Sequence, residues 1–215
     1  MCRSGSAEAC SRASEAMAAL ASDQVPVAIL SADLAAAKGD IDAAAKLYRA
    51  QFEPVIGAFG KDVAEIAARA TRDAAIGDAL RENPAAIVAL NNLADALVAA
   101  RRDSATAVSL AQIAVAGAQG SADILDTLVR ALLADGRTSE ALAIASTNPD
   151  PVLAAVEMAE IELARKSTAE ARRALARVDA RMQGTFMPMR TLSERVQRIG
   201  AAISRVEASA EGHQP

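Results

Sequence analysis

Leu93 and Leu128 stand 35 residues apart, and each closes a similar phrase: Leu90-Asn91-Asn92-Leu93-Ala94 and Leu125-Asp126-Thr127-Leu128-Val129. Small residues follow each phrase at helical spacing, Ala107, Ala111 and Ala114 after the first and Ala141 and Ala145 after the second, with Gly136-Arg137 at a turn. A 3.6-residue apolar period that restarts in the mid-thirties marks a helix–turn–helix repeat. A single hairpin of this kind leaves an apolar face bare and becomes stable only when stacked on another. The expected fold is therefore all-α.

Composition agrees with that constraint. The chain of 215 residues is 52% hydrophobic, yet only 2% aromatic and without Trp, and roughly a quarter of it is Ala. Ala is the best helix former and lets helices approach closely, but each Ala buries little area. Such a core suits many stacked helices better than one compact globule. A net charge of −4 and a pI near 5.2 argue against a nucleic-acid binder. Tyr48, Phe52, Phe59 and Phe186 are too scattered for base stacking. Cys2 and Cys10 read as free thiols, because a disulfide between them would close only a short loop and no further ligands accompany them. Residues 1–20 hold no continuous apolar run, and Val25 to Leu30 is too short to span a bilayer. The expectation is a soluble cytoplasmic protein, or a periplasmic one if a leader has been lost from a longer chain.

Helix punctuation divides the chain. Residues 1–22 form a polar lead-in. Helix pairs are predicted over 23–53, 84–120, 121–149 and 150–183, with Asp23 and Asp40 as caps and Gly39 as a turn in the first. Asn83-Pro84, Ser121 and Asp150-Pro151 open the later pairs, and Ser167-Thr168-Ala169-Glu170 has the form of a capping box. Pro54, Gly57 and Gly60 interrupt the pattern, so 54–83 reads as one degenerate repeat. A last helix within 189–207 sets Met189, Leu192, Val196, Ile199, Ile203 and Val206 at alternating three- and four-residue spacing. Two roles are open to that narrow seam: a cap over the last repeat, or a self-association seam between two copies. Residues 208–215 read as a loose tail.

These hairpins resemble the tetratricopeptide repeat family. Leu125 to Val129 with Gly136, Ala141 and Ala145 fits its motif, except that Val129 stands where a small residue is usual. Leu90 to Ala94 with Ala107, Ala111 and Ala114 fits with one extra turn residue and no Gly. Ala32, Gly39, Ala44 and Tyr48 fit in the first pair, where Ser31 replaces the usual Leu, and Met158, Ala159 and Ala171 fit in the last. Leu-Asn-Asn-Leu-Ala followed by Asp-Thr-Leu is further similar to the C-terminal end of bacterial tetratricopeptide proteins of exopolysaccharide and exosortase-type export systems.

The resemblance implies a right-handed helix–turn–helix solenoid with a C-terminal capping helix and a concave groove lined by the first helix of each repeat. The family's groove positions fall on Asp33, Asn91, Asp95, Asp126, Arg130, Val156 and Glu160. It implies a non-enzymatic scaffold that holds a peptide or protein there. Alternatives are a self-associating subunit of an envelope or polysaccharide-export assembly, or an accessory domain of a larger protein. A mildly acidic groove favours neutral to basic partners. With Arg130 as its one cation the groove does not form the family's carboxylate clamp, and Asn92 sits where the family keeps an Asn for helix packing.

No catalytic group, cofactor or metal is expected. His213 is the one histidine and lies in the tail, and no Gly-rich phosphate loop is present. Glu157 and Glu160 share a helix face and read as solvated, while Glu162 points elsewhere. Charge is uneven along the chain. From Arg165 to Glu207 ten Lys/Arg oppose four Asp/Glu, a net of +6 that leaves −10 for the remainder. Such asymmetry could dock an acidic partner, a membrane surface or another copy's groove, or be a plain solvated face.

Overall fold

The computed structural model describes residues 25–182 and 190–211; the lead-in with Cys2 and Cys10, Met189 of the seam and His213 lie outside them. Every regular element among the described residues is a helix. In order they are α1 (Val25–Ala37), α2 (Ile41–Ile56), α3 (Val63–Ala70), α4 (Ala74–Arg81), α5 (Pro84–Ala99), α6 (Ser104–Gly117), α7 (Ala122–Ala134), α8 (Thr138–Ala145), α9 (Pro151–Ala164), α10 (Thr168–Met182) and α11 (Arg190–Glu211). The expected tail is thus helical as far as Glu211.

Four connections turn in one way. Gly39, Arg101, Gly136 and Lys166 take φ of 83°, 54°, 75° and 63°. Each donates its N–H three residues back, and the following N–H reaches five residues back: Gly39 to Ala36 with Asp40 to Ala35, Arg101 to Val98 with Arg102 to Leu97, Gly136 to Leu133 with Arg137 to Leu132, Lys166 to Leu163 with Ser167 to Glu162. This double closure satisfies the last carbonyls of the first helix and reverses the chain. At Arg101 and Lys166 it is made without glycine. The extra residue expected in the α5–α6 turn is accommodated by a second positive φ, 41° at Asp103, whose carboxylate caps α6 by accepting from the Thr106 N–H at 3.1 Å.

Stacking follows a regular order. α1 and α2 both touch α5; α5 and α6 both touch α7; α7 and α8 both touch α9; α9 and α10 both touch α11. Each first helix therefore meets the next first helix and the second helix before it. α5 is enclosed on several sides, which is why Ala86, Ile87, Ala89, Leu90, Leu93, Ala94, Ala96 and Leu97 are all buried rather than one stripe.

Residues 54–83, expected as one degenerate repeat, hold a pair of short helices. α2 continues through Pro54 to Ile56; the proline withholds a donor from the helix ladder, and the helix ends within a turn at Gly57. Asp62 and Asp73 then cap two helices of eight residues each. α3 and α4 both lie against α6, and α4 also touches α2 and α5, which pack directly on each other. Gly117 permits the close approach of α4, since a Cβ there would stand 2.6 Å from Leu80 Cβ.

The core divides in two. The larger cluster runs from Ala32 to Ala145 and takes in Ile161, with Tyr48, Phe52, Ile76, Leu80, Leu90 and Ile113 fully enclosed. A smaller one is confined to α9, α10 and α11: Ala155, Val156, Ala159, Ala171, Ala174, Val178, Ile199 and Ile203.

The left-handed turns make a stability prediction. An L-residue at such a φ costs about 1 kcal/mol. Arg101→Gly and Lys166→Gly should each raise stability by roughly that amount, and Gly136→Ala should lower it by about 1 kcal/mol, read from urea denaturation midpoints. The opposite ordering would show that the turns carry no strain.

Candidate interaction site

The expected groove residues lie on α1, α5, α7 and α9, and the structure links them across helices. Asp33 Oδ1 accepts from Tyr48 Oη at 2.5 Å and from Asn92 Nδ2 at 3.0 Å. Tyr48 is fully buried on α2, so one carboxylate joins α1, α2 and α5. Asn92 thus serves the packing of α5 on α1. Asn91 Nδ2 donates to Asn92 Oδ1 at 3.4 Å, and Asn91 Oδ1 is buried without a donor. Next along the array, Arg130 Nη1 donates to Asp95 Oδ1 at 2.5 Å, where the Asp95 side chain is only 7% exposed.

The third link comes from α11. Arg195 Nη1 donates to both oxygens of Asp126 at 2.7 and 2.8 Å. Its Nε and Nη2 donate to the two oxygens of Glu160 at 2.7 and 2.5 Å. The Arg195 side chain is 11% exposed. Arg130 also acts on Asp126 through its charge. The result is an alternating ladder, Asp95, Arg130, Asp126, Arg195, Glu160, in which each charge has an opposite neighbour.

Glu157 lies beside it. Its side chain is fully buried, so the solvated face expected for Glu157 and Glu160 is not what forms. Oε1 accepts from Asn148 Nδ2 at 2.7 Å, and Oε2 receives no donor. Burial, and then the charge of Asp126, push the Glu157 carboxyl up to about 8 although Asn148 opposes the shift. Hydrogen bonding with Asp126 adds to the upward shift, so the pair shares a proton where two bare carboxylates would repel. Burial also raises Asp126, against the pull of Arg195. For Arg195 burial works downward, but the hydrogen bonds and charge of Glu160, and then Asp126, outweigh it and raise the guanidinium above its usual value.

Two expectations need correction. Val156 does not line the face; it is fully buried in the smaller cluster. Glu160 faces Arg195, and the helical turn brings Glu157, three residues before it, beside Asp126 while Val156, one residue earlier still, rotates into the α9–α11 core. Asp95 and Asp126 are not open ligand groups but struts between helices. Of the seam, Ile199 and Ile203 are buried against α9 and α10, with Leu192 and Val196 half-buried beside them.

Arg195 was not among the expected site residues. A signal for it existed: Arg130 follows Asp95 by 35 residues, and Arg195 follows Glu160 by the same 35. Left open on the first helices are Leu30 of α1, 48% exposed, and Val88 of α5, 42% exposed. They precede Asp33 and Asn92, which bond to each other, by three and four residues. Among the described residues no helix is long and apolar enough to cross a membrane, and no group of His, Cys, Asp and Glu is placed to hold a metal ion. Compared with family models, curated proteins and solved structures, the chain gives no match.

The protonated pair sets a pH dependence. Glu157 holds its proton far above its ordinary value of 4.5. Its contribution to stability is complete below that value and is lost as pH rises through about 8, at roughly 1.4 kcal/mol per pH unit. The upward shift of Asp126 acts in the same direction. Glu157→Gln keeps an acceptor for Asn148 and supplies Asp126 with a permanent donor. It should raise Tm at pH 7.5 and flatten the Tm profile between pH 5 and 8. A slope equal to that of the parent protein would place the proton elsewhere.

Proposed function

We propose that the stacked hairpins form a tetratricopeptide-like solenoid and serve as a non-enzymatic protein-interaction scaffold. The observation that carries this reading is the contact order, in which α1, α5, α7 and α9 follow one another as neighbours. A run of neighbouring first helices offers an extended partner a preformed surface with little ordering cost.

The way the charges are paired refines the partner. The face does not attract by open carboxylates, because its acids are tied to one another's helices. Within the ladder three carboxylates oppose two guanidiniums, which leaves a weak negative bias. Leu30 and Val88 supply exposed apolar area on neighbouring helices. A neutral to basic segment with apolar side chains fits this surface. The same reading takes the chain as a soluble adaptor of the cytoplasm, or of the periplasm where a longer form supplies a leader.

Leu30→Lys combined with Val88→Lys tests the face without disturbing the core, since both side chains are exposed. Partner captured from the native source should fall at least tenfold while the melting curve stays unchanged. Full capture by the double variant would move the binding surface elsewhere.

A further inference from the structure

The cleft that receives Arg195 is built by the repeats, while the arginine comes from the helix that ends them. Asp126 of α7 and Glu160 of α9 grip its guanidinium from two helices through four hydrogen bonds. Glu157, fully buried with Oε2 lacking a donor, lies beside Asp126. A planar fork that meets two carboxylates at once is a demand that arginine satisfies and lysine does not.

α11 is otherwise held lightly. Apart from the Arg195 grip on α7, its packing is chiefly against α9 and α10, and its buried apolar contacts among the described residues belong to the smaller cluster, through Ile199 and Ile203. The bridge from Arg172 to Glu207 is largely solvent-exposed and adds little. A buried ion pair of this type fixes register more than it adds net stability.

We propose that the Asp126–Glu160 cleft is an arginine-reading site with α11 as its resident ligand, and that it takes in exchange a partner helix bearing Arg with aliphatic residues three positions before and one, four and eight positions after. This pattern is that of α11 itself, Leu192, Arg195, Val196, Ile199 and Ile203. The inference rests on the scaffold reading and adds the chemistry of the partner to it. Exchange leaves the carboxylates paired in both states, so the balance depends on the tethered helix's local concentration, in the millimolar range for a short linker. Weakening the resident helix must strengthen an incoming one by the same factor.

The probe is a fluorescein-labelled synthetic peptide of residues 190–211, titrated against the full chain by anisotropy. The Ile203→Ala chain should bind it at least tenfold more tightly than the parent chain, and an Arg195→Gln peptide should bind that variant at least tenfold more weakly. The Arg195→Gln chain serves as a second host, with circular dichroism establishing which host remains folded. No binding to a folded host, or equal binding of the two peptides, would overturn the proposal and make α11 a fixed cap. Either result leaves the scaffold reading to be decided at Leu30 and Val88, which lie on other helices.

Discussion

Helices faced with alanine come close enough to exclude water, and a polar group caught between them must find its partner inside the protein. Ala32, Ala44, Ala86, Ala94, Ala107, Ala131, Ala141 and Ala159 are all buried at such junctions. An unpartnered buried polar group costs roughly 1–3 kcal/mol, and an unpaired charge more. The arrangement of Asp33, Asp95, Asp126 and Glu157 follows from that requirement. Each is buried or half-buried, and each is joined to a residue on another helix or, for Glu157, to Asn148 of the preceding connection.

Pairing on this scale gives register more than strength. Small apolar faces slide over one another at little cost, because Ala offers no knob to lock into a neighbour. Directional links between Asp33 and Asn92, Asp95 and Arg130, and Glu160 and Arg195 hold successive helices at one offset. Two of these links share a separation of 35 residues, the same interval that separates Leu93 from Leu128. The polar ladder and the apolar repeat thus keep one period. Where the ladder would carry an unmatched carboxyl, at Glu157, the protein holds a proton in place of a cation.

The legible part of this design was local. Gly39 and Gly136 mark turns, and Asp40, Pro84 and Asp150-Pro151 mark helix starts, because caps and left-handed residues act within a few positions. Arg101 and Lys166 make the same turn with no residue that announces it. The two short helices of 54–83 have clear caps at Asp62 and Asp73, but the close approach of α4 to α6 depends on the missing Cβ of Gly117, a contact between segments that a one-dimensional pattern does not register. At the site, Asp95 and Arg130 were expected on one face. Their pairing was not, since helix spacing gives direction around an axis and says nothing of the neighbour. Val156 and Glu157 were both expected in the open and are both fully buried for a similar reason: one position is 100° of helix, and only the packing of α9 on its neighbours decides what each meets.

Apolar period, small residues and punctuation were enough to dictate an all-α chain of helices with one more after the last pair, since these are short-range properties of the backbone. Whether a carboxylate on one of those helices meets solvent, a guanidinium or another carboxyl is a property of distances between segments dozens of residues apart. Arg195 reaches Asp126 across 69 residues. Stacking alone brought those groups together, and with them came the buried proton, the occupied cleft and the exposed pair Leu30 and Val88.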